Sequence, residues 1–186
     1  MALNATIQKV DLSLADMDQH RYADYALTIA QHPSETDERV MVRVLAYAML
    51  AREGLSFGRG LSNDEDPDLQ VLDLTGSMSL AVLVGLPEEK IVRQFAGRAN
   101  EVFIFAYGAA KRDVWWRRTA SGLRKINNLT VVCLDEAQTE RLASLLDRSV
   151  QLSVTVQDGE YLFSCDKGTA TITPESVLTP KNARPH

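Results

Sequence analysis

Cysteine is scarce in this chain of 186 residues: Cys133 and Cys165 are the only two. They stand far apart, with no C-x-x-C and no histidine at ligand spacing, which argues against a disulfide framework or a structural zinc site. Two inert buried thiols in a reducing cytoplasm are the expectation. Histidine is scarcer relative to its uses. His20, His32 and His186 have no serine, cysteine or carboxylate arrangement around them that suggests a catalytic triad. Long apolar runs are missing too. None approaches the roughly 18 residues that cross a bilayer, and Met1 to Lys9 lacks the basic and apolar regions of a signal peptide, so no membrane attachment is expected. The glycines do not form a nucleotide loop either. Gly58-Arg59-Gly60 has neither the G-x-x-x-x-G-K of a phosphate loop nor the G-x-G-x-x-G of a dinucleotide turn.

What is present is an uneven charge. The formal net charge of −5 opposes bulk attachment to nucleic acid or to an anionic membrane. Yet Asp64, Glu65, Asp66, Asp68 and Asp73 fall together with no base among them, while Lys111, Arg112, Arg117, Arg118, Arg124 and Lys125 are opposed only by Asp113.

Hydrophobic periodicity orders the chain. Thr6 to Leu14 reads as a half-buried strand. Met17 to Gln31 reads as a short helix, with Tyr22, Tyr25, Ala26 and Ile29 at helical spacing and Pro33 as its stop. Ser34 is placed to cap a second helix that Gly54 ends, with Asp37 as the reciprocal acid. Val40, Val44, Tyr47, Ala48 and Ala51 make that helix's apolar stripe. Glu35, Arg39 and Arg43, four residues apart, make a polar stripe expected to face a groove or solvent. Leu55 to Phe57 is a short strand. Asp68 to Leu74 and Ser77 to Gly85 are strands joined by a Thr75-Gly76 turn, and Leu80 to Val84 is apolar on both faces, as in a strand between helices. Pro87 opens a helix to Ala99. Strands over 102–107 and 130–134 alternate with helices over 111–120 and 136–146. A last hairpin, 151–157 with 161–164, turns at Asp158-Gly159. Beyond Pro174 the tail is expected to be loose. The order predicts one α/β domain over residues 1–186, with a mixed β-sheet flanked by helices.

Four stretches resemble the YaeQ family: His32-Pro33-Ser34-Glu35-Thr36-Asp37-Glu38-Arg39, Phe57-Gly58-Arg59-Gly60-Leu61-Ser62, Asp66-Pro67-Asp68-Leu69, and the Gly85-Leu86-Pro87 turn into a basic helix. Trp115-Trp116 and Asn128-Leu129 fit as well. The resemblance implies a bacterial protein with a restriction-endonuclease-like α-β roll, a variant of the fold of PD-(D/E)XK nucleases. In active members of that superfamily an acid at a strand end, an acid-x-Lys on the next strand and often a helix glutamate hold magnesium, whose bound water attacks a phosphodiester. Carried over, Asp73 matches the first acid and Glu35 or Glu38 the helix glutamate. That makes Asp73, Glu35 and Lys90 the catalytic candidates and Asp73 and Glu35 the magnesium ligands, with Arg39, Arg43, Arg59 and Asp66 around them. The next strand, however, offers Val82-Leu83-Val84-Gly85 and no acid-x-Lys. The nearest lies in Glu88-Glu89-Lys90, at a helix start.

The expected function is therefore a nuclease-like fold without catalysis, used to bind protein or nucleic acid; the alternative is a magnesium-dependent phosphodiesterase around Asp73. Each candidate also has a plain structural reading. Glu35, Arg39 and Arg43 can be an intrahelical ion-pair ladder of about 0.2–0.5 kcal/mol per exposed pair, and the acidic run a solvated loop. Lys111, Arg112, Arg117 and Arg118 around Trp115-Trp116 can contact nucleic acid by phosphate pairing and stacking. Adjacent helical residues point about 100° apart, though, so both indoles cannot share one platform. One packed inward, with arginines snorkelling about it, is the alternative.

Overall fold

The computed structural model describes residues 4–59 and 65–181. Gly60, Leu61, Ser62, Asp64 and His186 of the sequence reading lie outside them. The chain opens with an antiparallel hairpin of β1 (Thr6–Asp16) and β2 (Arg21–Gln31), in register from Thr6 opposite Gln31 to Asp16 opposite Arg21. The helix expected over Met17 to Gln31 is therefore a strand. Its core side has period 2: Leu27 and Ile29 are buried beside half-buried Tyr25, while Tyr22, which completed the helical pattern, is 65% exposed. Pairing with β1, whose Val10, Leu12 and Leu14 are buried, overrides the local pattern, because burial against a neighbour decides strand formation more than propensity does.

After β2 come α1 (Asp37–Leu50), β3 (Leu55–Phe57), β4 (Leu69–Leu72) and β5 (Met78–Val84). Then follow α2 (Glu89–Ala96), β6 (Ala99–Ala106), α3 (Ala109–Leu123), β7 (Leu129–Cys133) and α4 (Glu136–Ala143). The chain closes with β8 (Ser149–Gln157), β9 (Glu160–Cys165), β10 (Gly168–Ile172) and β11 (Glu175–Leu178). Two mixed sheets form where one was expected. The first has order β10-β9-β8-β1-β2, and the second β11-β7-β6-β5-β4-β3. β11 pairs antiparallel with β7, so the tail after Pro174 is not loose: Leu178 and Val177 cover the apolar edge left by β7.

The strands β5, β6 and β7 run parallel, joined by α2 and α3 as βαβ crossovers require. One continuous core unites the inner face of the first sheet, α1, α4 and one face of the second. A second core packs α2 and α3 on the opposite face. The alternation of β5 serves both: Leu80, Val82 and Val84 face α1, Ala81 and Leu83 face α2 and α3. α1 is consequently buried around nearly its whole circumference, with Val40, Met41, Val42, Val44 and Leu45 fully enclosed. Truncating Leu45 to alanine there costs about 2–5 kcal/mol. α1 is capped by Thr36, whose hydroxyl accepts from the Arg39 N–H at 3.2 Å, rather than by Ser34. Both cysteines are free and half-buried, so the expectation of buried thiols is corrected; burial pushes the Cys133 thiol up all the same.

Candidate functional site

A helix enclosed on all sides must still place its polar residues somewhere. Glu35, Arg39 and Arg43 face neither groove nor solvent: they turn into the core, where Glu35 is 5% and Arg43 0% exposed. Arg43 Nη1 donates to both oxygens of Glu35 at 3.2 and 3.3 Å, and its guanidinium lies 5.3 Å over the Phe57 ring. Arg39 divides its two terminal nitrogens between two acids. Nη1 donates to Glu35 Oε1 at 2.8 Å, and Nη2 to Asp68 Oδ1 at 2.5 Å. The other Asp68 oxygen accepts the backbone N–H of Val84 at 2.7 Å. Two arginines and two carboxylates thus form a neutral, closed network in which every side chain is at most 14% exposed. Burial works against the Arg39 charge, but Asp68 and Glu35 beside it outweigh that and hold its pKa above the ordinary value.

Backbone geometry fixes Asp68 in this position. Its N–H donates to Val82 O at 2.8 Å, and its carbonyl accepts the Gly58 N–H at 2.9 Å. A Cβ on Gly58 would run into the Pro67 carbonyl oxygen, so only glycine lets the segment after β3 pass this close to Pro67-Asp68.

Beside the network lies a crevice of about 520 Å³ at the carboxyl ends of β5 and β6, lined by Glu38, Gly85, Leu86, Tyr107, Lys111 and Glu136 among others. This is where open α/β sheets place ligands. Tyr107 sits between crevice and network, within hydrogen-bonding reach of Thr36. Burial raises its hydroxyl pKa; Arg39 opposes the rise and Glu38 adds to it. Glu38 in turn accepts a hydrogen bond from Thr139 at 2.6 Å, tying the crevice wall to α4.

The sequence profile of the YaeQ family, described as "YaeQ protein", matches residues 1–174. The chain belongs to the YaeQ family. It is 40% identical over 164 residues to an uncharacterized YaeQ protein of Salmonella typhi, covering 88% of this chain and 91% of that one. It is 38% identical over 167 residues to the uncharacterized YaeQ protein of Escherichia coli K12, covering 90% and 92%. The crystal structure of a YaeQ protein from Xanthomonas axonopodis pv. citri superposes with a TM-score of 0.92 at 43% identity, over 95% of this chain and 99% of that one. One from Pseudomonas syringae superposes at 0.89 with 30% identity, over 94% and 96%.

In this YaeQ-family chain the site residues expected from sequence divide. Glu35, Arg39 and Arg43 come together. Asp73 does not join them: it lies in the β4–β5 turn, five residues beyond Asp68 along a strand, roughly 16 Å away at about 3.3 Å per residue. There Asp73 Oδ1 accepts from the Thr75 N–H and hydroxyl and from the Ser77 N–H. Those hydrogen bonds, that from the Thr75 hydroxyl foremost, lower its pKa. Lys90 is exposed on α2, which packs against the opposite face of the sheet from α1. Arg59 is 81% exposed and pairs with Asp66 at 3.2 Å, outside the network. Asp68, named from sequence only within the acidic run and the Asp66-Pro67-Asp68-Leu69 stretch, is the acid that joins it. Counting back from the Thr75-Gly76 turn would have found it, since antiparallel pairing sets Leu69 opposite Val82.

The basic stretch is also sorted by the fold. Lys111, Arg117 and Arg118 are exposed on α3, whereas Arg112 is held by Leu134 O at 2.6 Å and by Asp113. Trp115 is buried and donates its indole N–H to Pro87 O at 2.8 Å. Trp116 is half-buried, with the Arg124 guanidinium 5.7 Å over its ring. Trp115 is thus closed to stacking, and the Arg124 guanidinium already lies over the Trp116 ring, where single-stranded nucleic acid would stack a base.

Proposed function

We propose that this YaeQ-family chain is a binding protein built on a restriction-endonuclease-like α-β roll, catalytically inert because Arg39 holds the place of the metal. The observation that carries this reading is the double ion pair of Arg39 with Glu35 and Asp68. Asp68 immediately precedes β4, in a Pro67-Asp68 pair, and Glu35 comes from the segment leading into the first helix, places akin to those of the first acid and the helix glutamate of the nuclease superfamily. The side chains of the next strand that face the same core are Val82 and Val84, where an acid and a lysine would be needed. Magnesium requires near-octahedral oxygen ligands at about 2.0–2.1 Å. Here a fixed guanidinium separates the two carboxylates, both Asp68 oxygens are engaged, and two valines supply no oxygen.

The alternative, a magnesium-dependent phosphodiesterase around Asp73 and Lys90, needs groups that lie on different faces and ends of the sheet, and no observation favours it. Incubation with single- and double-stranded DNA and RNA in millimolar Mg²⁺ or Mn²⁺ tests the reading. It expects products at the level of a protein-free blank. Cleavage that Asp68→Ala abolishes would overturn it.

A further inference from the structure

On the outer side of α3 a notch of about 390 Å³ opens between Leu86, Ala110, Val114 and Trp115, flanked by Lys111 and Arg118. Its walls are mostly carbon. Val114 is 54% exposed, although residues 111, 114, 115 and 118 share one helical face, where a solvated helix would carry polar side chains. Neither Lys111 nor Arg118 forms a side-chain ion pair or hydrogen bond among the described residues.

From this arrangement, and resting on the binding reading above, we infer that the α3 notch docks an acidic segment of a partner protein through a single apolar anchor side chain. The anchor, a leucine or a phenylalanine, enters between Leu86 and Val114 and covers the edge of Trp115. Carboxylates on either side of it pair with Lys111 and Arg118. The spacing sets the motif. Seven residues of helix place the two cations about 10 Å apart along the axis, a distance an extended chain covers in about three residues. One apolar residue with an acid at each end of a four-residue stretch therefore fits. Charge complementarity selects the partner's sign, because these cations stand on the most basic stretch of a chain whose net charge is −5. The carbon walls select peptide over nucleic acid: a phosphate gains nothing from the notch, and both tryptophans are already engaged. The crevice beside the Arg39 network shares Leu86, Ala110 and Lys111 with the notch but is walled by Glu38 and Glu136, so an acidic segment stays on the α3 side.

The probe is a fluorescein-labelled dodecapeptide of aspartate and glutamate with one central leucine, titrated by anisotropy into the full chain. Binding is expected to weaken by about tenfold or more for Val114→Asp and for Lys111→Glu/Arg118→Glu, with unchanged thermal melts. A peptide carrying serine in place of leucine is expected to lose binding to the same degree. Any of these titration results would overturn the proposal: no binding at millimolar peptide; equal binding of the leucine and serine peptides; or tighter binding of a single-stranded oligonucleotide that Val114→Asp leaves unchanged. A second copy is the remaining occupant, since Leu74 at the β4–β5 turn is fully exposed next to Asp73. Concentration-dependent self-association in sedimentation, abolished by Leu74→Asp, would assign the notch to that contact and overturn the partner reading. Nucleic-acid cleavage would sink the inert-scaffold reading while leaving the peptide titration interpretable.

Discussion

Glu35→Ala is expected to destabilise the fold by about 3–5 kcal/mol, the range for stripping one partner from a buried ion pair. The magnitude follows from what is left behind. Glu35 accepts from Arg39, from Arg43 through both oxygens, and from the His32 N–H at 3.3 Å. Without it the Arg43 charge, 0% exposed, keeps among the described residues only the Phe57 ring and the Ala30 carbonyl at 3.4 Å, and its Nε has no hydrogen-bond partner among them already. Arg43→Met removes the stranded cation instead. Glu35 still has Arg39, so the cost falls to about 1–3 kcal/mol, that of an interrupted buried hydrogen bond. Combining the two changes should cost less than their sum, because the second removes the charge the first orphaned. Urea titration followed by tryptophan fluorescence reads this well, Trp115 being buried. At an m-value of about 2–3 kcal/mol per molar, the Glu35→Ala midpoint should drop by about 1–2.5 M. Adding 1 M salt should change the gap little, since buried pairs are weakly screened. A Glu35→Ala cost under about 1 kcal/mol, or one smaller than that of Arg43→Met, would refute this reasoning and mark the network as solvated.

Two other perturbations probe the frame around the network. Gly58→Ala forces a methyl group against the Pro67 carbonyl and should cost about 1–3 kcal/mol or more, read as a lower melting temperature, with the Arg39–Asp68 pair displaced. Asp73→Ala should lower the melting temperature at neutral pH by removing the acceptor of the Thr75 and Ser77 N–H groups. Because the folded-state pKa of Asp73 is lowered, its contribution is fully present above the ordinary carboxylate value and is lost as acid titrates it. The gap between parent and variant should therefore close on acidification, and a gap that widens instead would contradict the turn geometry.

Much of the fold was legible because its signals were local. Thr75-Gly76 and Asp158-Gly159 fixed their turns, and the apolar run Leu80 to Val84 announced a strand buried on both faces. β2 imitates a helix because Tyr22 and Ala26 on its outward side fall at helical spacing with Tyr25 and Ile29 on its inward side; only the partner β1 reveals which side is buried. β11 was missed because Glu175 to Leu178 is too short and polar to register without β7 beside it. The site was half legible for the same reason. The spacing of Glu35, Arg39 and Arg43 put them on one face, but whether that face met water depended on the first sheet closing over α1. Asp73 matches the acid at a strand end when the strand is read from sequence alone, whereas strand register decides which acid stands against Val84.

The claim on which the functional reading depends is that Arg39 occupies a cation position between two carboxylates. Arg39→Ala empties that position without touching Glu35 or Asp68. Mn²⁺ titration of parent and variant, followed by thermal melting and calorimetry, tests it directly. The parent melt should be indifferent to millimolar Mn²⁺, while the Arg39→Ala melt should rise with metal, by the equivalent of about 2.7 kcal/mol at a hundredfold excess over the dissociation constant. Stoichiometric metal binding by the parent that Asp68→Ala removes, or a variant that stays as indifferent as the parent, would contradict the account.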